Sequence, residues 1–195
     1  MADLQFFRAQ GVCTLWFTGL PGAGKSTLAD ALHVELLAGG LPSIRLDGDQ
    51  LRTGLNADLG FGLEHRRENV RRAAEVAKLF NGTGFIVLAS FVSPVAADRC
   101  LVRQIVGRGR YVEIHVDAPL ATCEARDPKG LYRQARQGQI DHFTGVSAAY
   151  EVPSGPDVLR VDAASCGPAA SIAALLPALA ALGRSRNTPN NPQIR

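Results

Sequence analysis

Apolar, β-favouring runs recur along the chain at residues 12–18, 43–46, 84–91, 111–116 and 158–161, and they predict five strands. Helical patterns lie between them. Residues 26–37 carry Leu28, Ala31, Leu32 and Leu36 at helical spacing. Residues 67–80 place Val70, Ala73, Ala74, Ala77 and Phe80 on one face and charges on the other, and Asn81-Gly82 is expected to stop that helix. Alternation of strand and helix with short connections predicts a parallel sheet covered on both faces. The 195 residues suffice for one domain with a substantial core, and no internal repeat or interior linker is visible. One domain over residues 1–183 is expected. Residues 184–195 are polar and rich in Pro and Asn, and they are expected to be a disordered tail.

The most informative connection is Gly19-Leu20-Pro21-Gly22-Ala23-Gly24-Lys25-Ser26-Thr27, which joins the first predicted strand to the first clear helix and fits G-x-x-x-x-G-K-S/T. Glycines let the backbone bend and approach a phosphate without a Cβ clash. Successive N–H groups and the helix N-terminus then face the anion. Lys25 adds a mobile positive charge over the β- and γ-phosphates, and the Ser26 hydroxyl can ligate Mg²⁺. In a parallel sheet, ligands sit beyond the carboxyl ends of the strands. The other strands run into Asp47-Gly48-Asp49, Ser90-Phe91-Val92-Ser93-Pro94 and Asp117-Ala118-Pro119, which places this chemistry around one crevice.

Composition changes the picture only in part. Hydrophobic content of 46% and charged content of 20% are ordinary for a globular chain. A net charge of +3 is too mild to imply a nucleic-acid partner, but it suits a small polyanion. The basic residues are eighteen arginines against three lysines, a bias in which compositional drift and bidentate phosphate binding both have a share. Cys13, Cys100, Cys123 and Cys166 match no zinc spacing, so they are expected to be buried or semi-buried thiols in a reducing compartment. Residues 1–10 lack a signal-peptide pattern. Residues 168–182 are apolar, but too short to span a bilayer and interrupted by Pro177. A soluble, cytoplasmic protein without membrane contact is the expectation.

The segments after the other strands read as an acceptor site. Asp47 and Asp49 can orient a metal and accept a proton from an attacking hydroxyl; an Asp-rich turn capping the next helix is the alternative. Arg52 follows, then Gly54-Leu55-Asn56-Ala57-Asp58-Leu59-Gly60-Phe61, a loop whose aromatic could stack on a base or tuck into the core. Arg66, Arg67, Glu68, Asn69, Arg71 and Arg72 open the next helix, where some can reach the crevice. Residues 123–136 form a basic island broken by Pro128-Lys129-Gly130. A lid belongs there in a P-loop kinase, with Arg126, Lys129 and Arg133 as its candidate cations. Asp141-His142-Phe143-Thr144-Gly145 adds a second loop aromatic. The predicted fold class is α/β, a P-loop kinase three-layer sandwich with a five-stranded parallel sheet flanked by helices and a small lid.

Together these motifs resemble the adenylylsulfate (APS) kinases of sulfate activation. That family's pattern runs G-L-S-G-A/S-G-K-S-T, L-D-G-D-N-V/I-R-x-G-L-x-x-D-L-G-F, R-x-E-N-V/I-R-R, F-I/V-S-P, R-D-P-K-G-L-Y-x-x-A-R, F-T-G and Y-E-x-P. The chain supplies L-D-G-D-Q-L-R from Leu46, R-R-E-N-V-R-R from Arg66, F-V-S-P from Phe91, R-D-P-K-G-L-Y from Arg126, F-T-G from Phe143 and Y-E-V-P from Tyr150. The resemblance covers residues 11–183. It departs at Pro21, Gln50, Gly62 and His65, none of which removes a catalytic part, although Gly62 and His65 alter the loop before Arg66.

The resemblance implies transfer of the γ-phosphoryl of ATP to the ribose 3′-hydroxyl of adenosine 5′-phosphosulfate. Carried over by position, Gly19, Gly22, Ala23, Gly24, Lys25, Ser26 and Thr27 bind the ATP phosphates, and Ser26 and Asp47 attend Mg²⁺. Asp49 meets the acceptor hydroxyl as ligand and base. Arg52, Arg66 and Asn69 hold phosphosulfate and ribose, while Phe61 and Phe143 sandwich the adenine. Val92 and Ser93 line the acceptor pocket, and Lys129 belongs to the lid. Ser93 matches a family position associated with a phosphoserine. In-line transfer needs only positioning and charge stabilisation, so Ser93 is taken as an active-site residue without a covalent step. The resemblance further implies a homodimer and a functional or fused ATP sulfurylase partner. Two other readings are a non-catalytic nucleotide-binding domain supporting such a partner, and a kinase for another small hydroxyl acceptor.

Overall fold

The computed structural model describes residues 4–186. Five strands, β1 (Thr14–Thr18), β2 (Ser43–Asp47), β3 (Ile86–Ser90), β4 (Tyr111–Asp117) and β5 (Val158–Asp162), form one sheet in the order β2-β3-β1-β4-β5, with every pairing parallel. The helices are α1 (Gln5–Gln10), α2 (Lys25–Ala38), α3 (Gly48–Leu51), α4 (Leu63–Gly82), α5 (Ala96–Val106), α6 (Leu120–Arg126), α7 (Leu131–Arg136) and α8 (Pro168–Arg186). The five strands and their parallel sense agree with the sequence pattern.

β1 shows why the sheet has two covered faces. All five of its residues are buried, and alternate side chains serve opposite layers. Leu15 and Phe17 join the layer of α1, α2 and α8, built on Phe7, Leu32, Leu36, Leu175 and Leu179. Trp16 joins the layer of α4 and α5, built on Val70, Ala73, Ala74, Ala77 and Val102. The alanine stripe of α4 is the predicted apolar face. The helix starts earlier than expected, at Leu63, and includes Asn81 and Gly82. Asn81 is there because its buried amide donates to Cys13 O and Phe85 O and accepts from Thr14 Oγ1, joining the helix end to β1.

Two expectations need amendment. α8 continues to Arg186, so residues 184–186 of the expected tail are helical, while residues 187–195 lie outside the described residues. Pro177, which interrupts the apolar run, sits inside α8. Cys13 and Cys123 are buried, as expected, but Cys100 and Cys166 are exposed. Among the described residues, no helix is long and apolar enough to cross a membrane.

Candidate active site

The loop after β1 passes so close to β4 that only glycine fits at its first position. Gly19 has φ +154°, and a Cβ there would lie 2.5 Å from the Val116 carbonyl oxygen. Gly24, at φ +105°, is the N-cap of α2 and places no side chain over the helix end, which leaves the first N–H groups of α2 directed at the cleft. Lys25 is folded back into the loop, its Nζ donating to Gly19 O at 3.1 Å and Leu20 O at 2.8 Å. Burial lowers its pKa to about 8, against a partial upward pull from Cys123, Asp49 and Asp47.

Both readings of Asp47 are true at once, on different oxygens. Oδ1 caps α3, accepting from the N–H groups of Asp49 (2.9 Å) and Gln50 (3.3 Å). Oδ2 accepts from the Ser26 hydroxyl at 2.6 Å. The capping bond aims the second oxygen at the start of α2. A hydroxyl and a carboxylate are hard oxygen donors, which suits Mg²⁺ held by few protein ligands. Two residues on, Asp49 Oδ2 accepts from Lys129 Nζ at 2.5 Å, and the carboxylate raises the lysine's pKa. This pair joins the second strand's end to the predicted lid across 80 residues of sequence.

The lid turn is built locally. Asp127 caps α7 through both carboxylate oxygens, accepting from the N–H groups of Tyr132 and Arg133. That fixes the turn carrying Lys129. Tyr132, buried beneath, donates its hydroxyl to Pro21 O at 2.9 Å and so ties α7 to the phosphate loop. Of the other two candidate lid cations, Arg126 donates to Ala163 O at 2.7 Å and borders the cleft, whereas Arg133 is not among the cleft-lining residues.

The opposite wall carries the aromatics. Phe61 is 60% exposed, with the Arg52 guanidinium 4.6 Å from its ring centroid. Phe143 is 5% exposed and stands edge-on to Tyr132, yet it borders the same cleft. Arg66 joins the two aromatic loops. It donates to Phe61 O from Nε and to Thr144 Oγ1 and His142 O from its two terminal nitrogens. Arg52 spends Nη1 on Leu59 O and Gly60 O. Asn69 is buried on α4 and accepts from the Asn56 amide at 2.8 Å. Val92 O accepts from Thr18 Oγ1. Ser93 has a left-handed backbone (φ +42°) and a buried hydroxyl that accepts from the Trp16 indole N–H at 2.9 Å.

All of these groups share one cleft of about 1240 Å³, above the roughly 300–1,000 Å³ of a single small-ligand pocket. The residues assigned to the phosphate loop, the metal, the acceptor and Lys129 all border it from Gly22 to Phe143, whereas Arg133 and the Asp117-Ala118-Pro119 end of β4, also expected at the crevice, do not; Gly19 contributes through the loop geometry and the Lys25 contact. Sequence reasoning missed three participants and one role. Tyr132 lay within the recognised R-D-P-K-G-L-Y stretch without being singled out. The loop-clip role of Arg66 depends on residues 76 and 78 positions away, and no sequence signal announces it. Asp98, on the first turn of α5, is buried at the cleft edge with its pKa raised by desolvation. Ser90, opposite Asp47 in the sheet, has a buried hydroxyl with no partner among the described residues.

The adenylylsulphate kinase family model matches residues 11–162. The adenylyl-sulfate kinase of Shewanella amazonensis is 59% identical over 145 residues, which is 74% of this chain and 73% of that protein. The Mycobacterium tuberculosis APS kinase structure in complex with AMPPNP and APS is 42% identical, covers 88% of this chain and 97% of its own, and superposes with a TM-score of 0.79. A hexameric APS kinase from Thiobacillus denitrificans is 31% identical with a TM-score of 0.67, over 90% of this chain and 30% of its own.

Proposed function

The chain belongs to the adenylylsulfate kinase family, and on that premise we propose that it transfers the γ-phosphoryl group of ATP to the ribose 3′-hydroxyl of adenosine 5′-phosphosulfate, giving ADP and 3′-phosphoadenylyl sulfate. The observation that carries this reading is the single cleft that joins a phosphate loop to Asp49 and two aromatic rings. Phosphoryl transfer asks little covalent chemistry of a protein; it asks for positioning and for charge at the right place. The position of each residue supports a role for it.

Residues 19–27 cradle the ATP phosphates, and Lys25 leaves its loop carbonyls for the β- and γ-phosphates when nucleotide binds. Ser26 and Asp47 would hold a hydrated Mg²⁺, which when bound neutralises the triphosphate charge. Asp49 accepts the proton of the 3′-hydroxyl as the ribose 3′-oxygen bonds the γ-phosphorus and the bond from that phosphorus to the β-phosphate oxygen breaks, releasing ADP. Lys129, already paired to Asp49, closes the lid over that point and excludes water. Phe61 and Phe143 take opposite faces of the acceptor adenine. Arg66 sets their spacing, and Arg52 and Asn69 hold ribose and phosphosulfate. Ser93 lines the acceptor wall, its hydroxyl oxygen accepting from Trp16, and direct in-line transfer needs no phosphoserine step. A cytoplasmic homodimer serving, or joined to, an ATP sulfurylase belongs to the same proposal. The non-catalytic reading has no observation in its favour.

The test is ADP release from Mg-ATP with APS, AMP, shikimate or gluconate as acceptor. Turnover with APS alone supports the proposal. Turnover with a sugar acid and none with APS would overturn it.

A further inference from the structure

Arg99 is not a cleft residue, yet it is the most heavily committed side chain behind the cleft. It stands on the first turns of α5, buried together with Glu113 of β4, each side chain 4% exposed. Each of its three nitrogens donates a hydrogen bond. Nε donates to Glu113 Oε1 at 2.8 Å, Nη1 to Ser93 O at 2.8 Å and Nη2 to Glu151 O at 2.8 Å. The other Glu113 oxygen accepts from Arg103 at 3.0 Å and from the Tyr111 hydroxyl at 3.3 Å, so the carboxylate is fixed from three sides.

The two carbonyls that Arg99 grips belong to segments far apart in sequence. One is the Ser93 turn, whose left-handed φ of +42° is unfavourable for a residue with a Cβ. Such a backbone persists only where its surroundings over-determine it. The other is the strap at Tyr150-Glu151. Glu151 N donates to Pro94 O, and Glu151 Oε2 accepts from Ala96 N, so the strap is fastened to the turn from both sides. Tyr150 lies over His115 and shares a hydrogen bond of 2.9 Å with Thr18 Oγ1, which in turn donates to Val92 O. The Ser93 turn is thereby connected to the last residue of β1, immediately before the phosphate loop.

We propose that Arg99 is a positioning residue for the acceptor: braced by Glu113, it fixes the strained Ser93 turn to the Tyr150-Glu151 strap and so sets the wall made by Val92, Ser93 and Pro94. A buried ion pair is poor evidence for stability alone, because well-packed apolar residues often serve as well. What an apolar replacement lacks is three directed donors to three separate chain segments. Lysine keeps the charge but loses the planar fork. This inference rests on the acceptor reading above.

The experiment compares wild type with Arg99→Lys, each shown folded by far-UV circular dichroism, by kinetics and by fluorescence of Trp16. That residue is the chain's single tryptophan, and its indole bonds the Ser93 hydroxyl. Misplacing one wall is expected to raise KM for APS about tenfold or more while KM for ATP changes less than about twofold, and to shift the Trp16 emission maximum. Equal losses for both substrates, or an unshifted spectrum with unchanged kinetics, would overturn the proposal. If Arg99→Lys does not accumulate folded, Glu113→Gln removes the brace and must give the same split. Absence of APS turnover in the wild type would overturn the function proposed above. The Trp16 spectrum would then still decide whether Arg99 sets the Ser93 turn.

Discussion

The lowered pKa of Lys25 makes proton uptake a signature of ATP binding. In the free protein, burial against the Gly19 and Leu20 carbonyls holds the ammonium at a pKa of about 8, below its ordinary 10.5. The folded chain therefore binds fewer protons than the unfolded chain between those values. The cost of keeping this lysine charged is present in full below pH 8 and fades as pH rises toward 10.5. A bound triphosphate supplies the missing counter-charge and returns the pKa toward its ordinary value. With a pKa near 10.5 in the complex, binding takes up about half a proton at pH 8 and about 0.9 at pH 9. ATP affinity then falls by up to about tenfold per unit between pH 8 and 10.5. Titration calorimetry in two buffers of different ionisation enthalpy reads the uptake directly. At pH 8 and above, the terminal phosphate of the nucleotide, whose own pKa is near 6, contributes little. Lys25→Met is the control, because it removes the titrating group and should abolish the uptake. Uptake below about 0.2 proton at pH 9, or an uptake that survives in Lys25→Met, would refute the reasoning.

The remaining predictions concern the acceptor side and the loop. Asp49→Ala breaks only an exposed ion pair, worth at most about 1 kcal/mol, so its melting temperature should move little while turnover is abolished; retained turnover would show that Asp49 is not the base. Phe61 is largely exposed, so Phe61→Ala should leave stability nearly unchanged and raise the apparent KM for APS far more than that for ATP; an equal effect on both would sink the stacking assignment. Gly19→Ala forces a Cβ to within 2.5 Å of a β4 carbonyl and adds backbone strain. It should cost about 2 kcal/mol or more in denaturant unfolding and weaken ATP binding.

Most of the architecture could be read from the chain because its signals are local. A strand buried on both faces has to be apolar at successive positions, as in β1, and a helix over a sheet has to carry a stripe such as Val70, Ala73, Ala74 and Ala77. The phosphate loop was equally legible, since phosphate binding needs glycine at fixed offsets from Lys25. What stayed hidden is non-local. Asn81 looked like a helix stop, but it is a buried bridge between α4 and β1, and nothing in its neighbourhood marks its partners Cys13 and Thr14. Arg66 had the right chemistry for an anion, yet three of its nitrogens bond the two aromatic loops. The capping and Ser26-directed roles of Asp47 read as alternatives because a sequence cannot show that a carboxylate divides its oxygens between them.

In the proposed reaction one cleft delivers the γ-phosphoryl of ATP to the acceptor ribose. The most direct measurement is a single turnover with γ-labelled ATP and APS, with the label located in the product by mass spectrometry and ³¹P NMR. One equivalent of ADP is expected, with the label on the ribose 3′-oxygen of adenosine 5′-phosphosulfate. Label recovered as inorganic phosphate, on the 2′-oxygen or on Ser93 would contradict it.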